Sequence, residues 1–165
     1  MPEQDRLLLR ISTGDGTELR VWWTRRLLVM LWPNLVKLLG KSVELQTPTA
    51  NLEAQKMITG MRHESHLSQA DFATPFAATT QHFPLGSEPL LVARVDLSLG
   101  ADNMVKVAMK SAQGAGVDVN MNEALVHILC KLLQTACLQA DWAVDLVIAG
   151  VNESTQDVLA TRVLN

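Results

Sequence analysis

The chain has 165 residues, of which 48% are apolar and 19% charged, with 17 acidic and 14 basic side chains and a net charge of −3. A chain of this length buries roughly 70% of its unfolded surface and needs no metal or disulfide to hold a core. The composition excludes disorder of the whole chain, and the acidic balance removes the electrostatic reason to expect nucleic acid or an anionic membrane.

The opening Met-Pro-Glu-Gln-Asp is acidic where a secretory signal is basic. The longest apolar stretch, Leu27–Leu39, is interrupted by Pro33, Asn34 and Lys37 and is too short to cross a bilayer. Cys130 and Cys137 fall two turns apart on one predicted helix, too far for a bond between them, and read as small buried residues in a reducing compartment. The expectation is a soluble cytoplasmic protein forming one domain over residues 1–165.

In chain order, the first signal is a hairpin. Leu7–Ile11 and Leu19–Trp23 flank Gly14-Asp15-Gly16, a strong turn sequence. Period two puts Leu7, Leu9, Ile11, Leu19, Val21 and Trp23 on one face, and Arg10, Arg20 and Trp22 on the other. Thr24 is the expected N-cap of a helix that ends near Leu39, where Gly40 suits a left-handed stop, with a kink or restart at Pro33. Leu27, Leu28, Met30, Leu31, Leu35, Leu38 and Leu39 fill a broad stripe, yet Val29, Trp32 and Val36 are apolar on the opposite side. A helix apolar nearly all round must be covered all round. A second copy of the chain seated on Val29, Trp32 and Val36 is the expected cover, with the 51–69 segment as the other choice.

Residues 46–88 read as a weak amphipathic helix, Asn51–Gln69, followed by a long connection holding Phe72, Phe76 and Phe83. The second half is cleaner. Leu91–Leu99, Val105–Met109 and Val117–Met121 alternate with polar residues across glycine-containing turns, the pattern of an antiparallel meander. A helix then follows Asn122, with Leu125, Ile128, Leu129, Leu132, Leu133 and Ala136 inward and His127, Lys131 and Gln134 on the wet side. Leu146–Val151 reads as a last strand or edge, and Asn152–Asn165 as a short helix or a frayed end.

The sum is an α+β fold: one antiparallel sheet of five to six strands, two main helices on one face, and a hairpin-to-helix unit that occurs twice. Such matched units also arise by chance, and the two halves are unequal.

Short catalytic motifs are absent: no nucleophile elbow, phosphate loop, dinucleotide glycine run or Cys-x-x-Cys. His63 and His66 lie one turn apart if 51–69 is helical, and with His82 as third ligand they form the candidate zinc or iron set. Two exposed histidines in a polar segment are the plainer account, so the expected cofactor is none. Arg10, Arg20, Trp22, Arg25 and Arg26 form a candidate anion or partner contact, and Arg25 and Arg26 oppose the macrodipole of the helix they open. The leading expectation is a non-enzymatic binding or adaptor protein, homodimeric, that engages a protein partner. The alternative is a small-ligand or metal-dependent enzyme with its site near residues 60–85.

Overall fold

The structure is a computed structural model that describes residues 5–48, 51–76 and 82–151. Strands β1 (Arg6–Ser12) and β2 (Glu18–Thr24) form the first hairpin, with Leu8 opposite Trp22 and Arg10 opposite Arg20. Its turn is fixed by the Asp15 carboxylate, which accepts from the Thr17 amide at 3.0 Å, and by Gly16 at φ +79°. Thr24 caps helix α1 (Arg25–Gln46) by accepting from the Leu27 amide at 3.2 Å.

Helix α1 does not stop at Leu39. It runs through Gly40 because the next turn carries Ser42 and Val43, both buried, the latter completely. Pro33 lies on the exposed side and does not end the helix. Helix α2 (Leu52–Gln69) is capped by Asn51, whose side chain accepts from the Glu53 amide.

The single sheet of five to six strands is replaced by two sheets of three. In one, β2 pairs antiparallel with β1 and parallel with β3 (Leu90–Leu91). In the other, β4 (Arg94–Leu99), β5 (Val105–Lys110) and β6 (Gly116–Met121) form the expected meander, with Leu97, Val107 and Val119 in register. The sheets separate because the alternation slips at Val92. Val92 and Val95 both turn inward, three residues apart, where a continuous strand would place them on opposite faces. At the slip the chain changes partners: the Val92 amide donates to Trp22 O at 3.0 Å, and the Ala93 amide to Lys110 O at 2.8 Å.

One core spans both sheets. Val21 and Trp23 of β2, Val105, Val107 and Met109 of β5, Leu28, Leu35 and Leu39 of α1, and Val126, Leu129 and Cys130 of helix α3 (Glu123–Gln139) belong to the same buried cluster. Asn122 caps α3 by accepting from Leu125 N at 2.9 Å. Helix α2 packs on α1 and α3 and makes the third main helix, where two were expected.

Residues 142–151 form no strand. They run as a strap over the helices, with Trp142, Leu146 and Ile148 buried. Trp32 Nε1 donates to Val147 O at 3.1 Å, and Gln134 Nε2 donates to Leu146 O at 2.6 Å. The strap reaches α2 at a glycine crossing: a Cβ on Gly60 would strike the Gly150 carbonyl, and Gly150 holds φ +85° against Lys56 O. Asn152–Asn165 lie outside the described residues. No helix among the described residues is long and apolar enough to cross a membrane.

The crossing separates two glycine substitutions of opposite sign. Gly60→Ala is expected to lose about 1–3 kcal/mol, since backbone on both sides must move. Gly40→Ala, with open space around it in the interior of α1, is expected to gain about 0.5–1 kcal/mol. Urea unfolding of the two variants measures both.

Candidate functional site

The arginine face of the first hairpin is built around a residue the sequence reading passed over. Glu18, 1% exposed, sits between the two arginines, and its carboxylate accepts from Arg10 Nε and Arg20 Nε, both at 2.7 Å, and from Arg10 Nη2 at 3.1 Å. The Phe76 ring covers the Arg10 guanidinium at 4.1 Å, and the Phe83 ring covers Arg20 at 4.3 Å. The anion demanded by this pair is therefore supplied inside the chain. Trp22 stands apart from them, with the Arg6 guanidinium 5.8 Å from its ring. The sequence signal for Glu18 was its spacing of two before Arg20, which places both on one face of β2.

Arg25 and Arg26 open α1 with no acidic residue in its first turn and no ion pair among the described residues. Beside them Val29 is 50% and Met30 63% exposed. Two concavities of about 540 Å³ each adjoin here and share Thr24, Arg26 and Met30. Trp32 does not belong to this surface: it is buried and bonded to the strap. Val36 is partly buried against the core.

Between α2 and α3 lies a layer of polar side chains. The reading that placed His127, Lys131 and Gln134 in water is corrected: all three are buried, while Leu125 and Leu132 are 49% and 43% exposed. The reason is a second helical layer. Glu123, His127 and Lys131 recur every four residues along α3 and face His63 and its neighbours on α2. Strap and α2 cover what a two-layer fold would leave wet. That four-residue polar stripe was the available signal, and it was indistinguishable from a solvated face without knowledge of α2.

Within the layer, His63 Nδ1 and His127 Nδ1 are 3.0 Å apart, so one donates to the other. The His66 ring stacks on His127 with centroids 5.1 Å apart. Glu123 accepts from Arg62 Nη1 at 3.1 and 3.4 Å, from Ser42 Oγ at 3.3 Å and from Gln46 Nε2 at 3.3 Å. His66, Glu123 and His127 each offer one ligand atom within 4.8 Å of the others. His82 does not join them: its side chain is exposed, and its backbone pairs with the first hairpin at Thr17 and Glu18.

Burial holds both inner histidines neutral. It pushes His63 down to about 4, assisted by Lys131 and His66, and His127 down to about 3, assisted by His63, His66 and Arg62. The thiols behave in the opposite sense, with burial pushing Cys130 up to about 12 and Cys137 up to about 11, so neither is a thiolate at neutral pH. No family model, curated protein or solved structure matches this chain.

Two outcomes follow from these groups. Glu18→Gln leaves two guanidiniums side by side without their shared carboxylate, and its urea midpoint is expected to fall further than that of Arg20→Gln. The second concerns acid. His63 and His127 titrate lower folded than unfolded, so the unfolded chain takes up protons first. Their contribution is full above about pH 6.5 and lost as pH falls toward 4. The urea midpoint of chelator-treated protein is expected to drop between about pH 7 and about pH 4.5, with a shallower slope in His63→Asn.

Proposed function

We propose that the protein is a non-enzymatic binding protein, an adaptor, whose contact surface is the start of α1. The reading is carried by the two adjoining concavities that share Thr24, Arg26 and Met30. An occupant that suits them is apolar where it meets Val29 and Met30 and acidic where it meets Arg25 and Arg26. Carboxylates there would relieve the conflict between the two cations and the positive end of the helix. A protein segment mixing leucine-like and acidic residues meets both demands, and a reducing, cytoplasmic setting suits the two unbonded buried cysteines.

A second copy of the chain is the other occupant this surface admits. Its net charge of −3 offers acidic groups, and Val29 with Val36 would form the apolar part of a two-fold contact. The metal-dependent enzyme alternative near residues 60–85 draws its support from the polar layer at His66.

The test uses a synthetic amphipathic helix of leucine and glutamate as probe. Fluorescence anisotropy is expected to show binding to the wild-type chain and a loss of at least ~10-fold in affinity for Met30→Glu or Arg26→Glu. Light scattering reports the second occupant: a mass near twice 18.1 kDa that Met30→Glu halves. A monomer that ignores the peptide overturns the proposal.

A further inference from the structure

The polar layer between α2 and α3 carries a demand that the described residues leave unmet. His127 Nε2 is fully buried and has no hydrogen-bond partner among the described residues. Its ring is not misplaced, because the other nitrogen is engaged by His63 Nδ1 at 3.0 Å. With His127 Nδ1–H donating to His63, Nε2 bears a lone pair aimed at the space shared with Glu123 and His66. Glu123 Oε1 lies 4.0 Å from His127 Nε2, and Glu123 Oε2 lies 4.0 Å from His66 Nε2. These separations are too long for hydrogen bonds. Two donors on one tetrahedral zinc ion, each at about 2.0–2.1 Å, stand about 3.3 Å apart, closer than these pairs are without an ion.

We propose that His66, Glu123 and His127 hold a divalent transition-metal ion of the zinc class between α2 and α3. Donors within 4.8 Å of one another close by up to about 1.5 Å, within reach of side-chain rotation, to share such an ion. Imidazole, imidazole and carboxylate are a donor set zinc accepts, and three protein ligands leave the fourth tetrahedral position to water. The surroundings fit a ligating histidine. His63 Nδ1 pairs with the second nitrogen of His127 and, as the acceptor, holds the tautomer that frees Nε2 for a metal, while Ser42 and Gln46 orient the carboxylate. His66, with 27% of its side chain exposed, is the side from which an ion enters.

Arg62 competes with the ion for Glu123. Its guanidinium bonds the carboxylate at 3.1 Å, and it also reaches Gln46 Oε1 at 2.8 Å and Thr47 Oγ1 at 3.2 Å. Those contacts keep it placed when the carboxylate turns to a metal. Lys131 adds a second positive charge to the layer, acting on His63, so the site binds a dication against nearby charge. This gives a signature that packing alone would not produce: removing the Arg62 charge should tighten metal binding.

The full chain, stripped with a chelator and reloaded with zinc chloride, is expected to retain one equivalent by plasma mass spectrometry. Competition against a chromophoric chelator gives the affinity. His66→Gln, on the partly exposed ligand, and Glu123→Gln are expected to weaken it by ~100-fold or more, while Arg62→Gln tightens it by ~10-fold and His82→Gln leaves it unchanged. Circular dichroism checks that each variant is folded. Cobalt substitution should add visible bands that His66→Gln removes. Less than a tenth of an equivalent in the wild type, or zinc binding indifferent to both His66→Gln and Glu123→Gln, overturns the assignment.

Discussion

The indole of Trp32 is buried and donates to Val147 O, and covering it shapes much of what lies on that side of the molecule. Helix α1 is apolar on too many sides for one sheet to bury, so a second layer has to be laid over it. The strap 142–151 supplies that layer, anchored by the Trp32–Val147 and Gln134–Leu146 bonds. Because the strap also crosses α2 at Gly60 and Gly150, the same segment touches all three helices. Covering one helix therefore places a lid over the polar stripe of another.

That coupling explains why so many titratable groups are buried in a small α+β protein. Helix α2 buries few side chains, only Thr59, His63 and Leu67 besides Gly60, and only Leu67 among them is a large apolar one. Its attachment leans on Arg62, His63 and His66, which meet Glu123 and His127 of α3. Polar groups shut away in this fashion must satisfy one another or find a ligand. The hairpin at the other end solves the same problem internally, with Glu18 placed between Arg10 and Arg20.

What could be read from the residues divides along physical lines. Local signals held: the Gly14–Gly16 turn, the Thr24 cap, the helix starts at Asn51 and after Asn122, and the antiparallel meander. Each depends on a few neighbouring residues and on steric or hydrogen-bonding rules that tertiary packing seldom overrides. Misreadings arose where a distant segment decided the outcome. His127 looked solvated until α2 covered it, Gly40 looked like a stop until Val43 joined the core, and Trp32 looked available until the strap reached it. Glu18, Glu123 and His127 went unnamed as site residues because their partners lie across a hairpin or on another helix.

The slip at Val92 has a further meaning for the chain's length. On one side of it, backbone hydrogen bonds tie the chain to β2; on the other, they tie it to β5. Losing or gaining a single residue between Leu91 and Arg94 would invert every side chain of β4. Arg94, Asp96 and Ser98 would be driven toward the helices, and Val95, Leu97 and Leu99 out into water. Val92 and Ala93 thus act as a spacer of fixed length, and the second half of the molecule faces its core only while that length is kept.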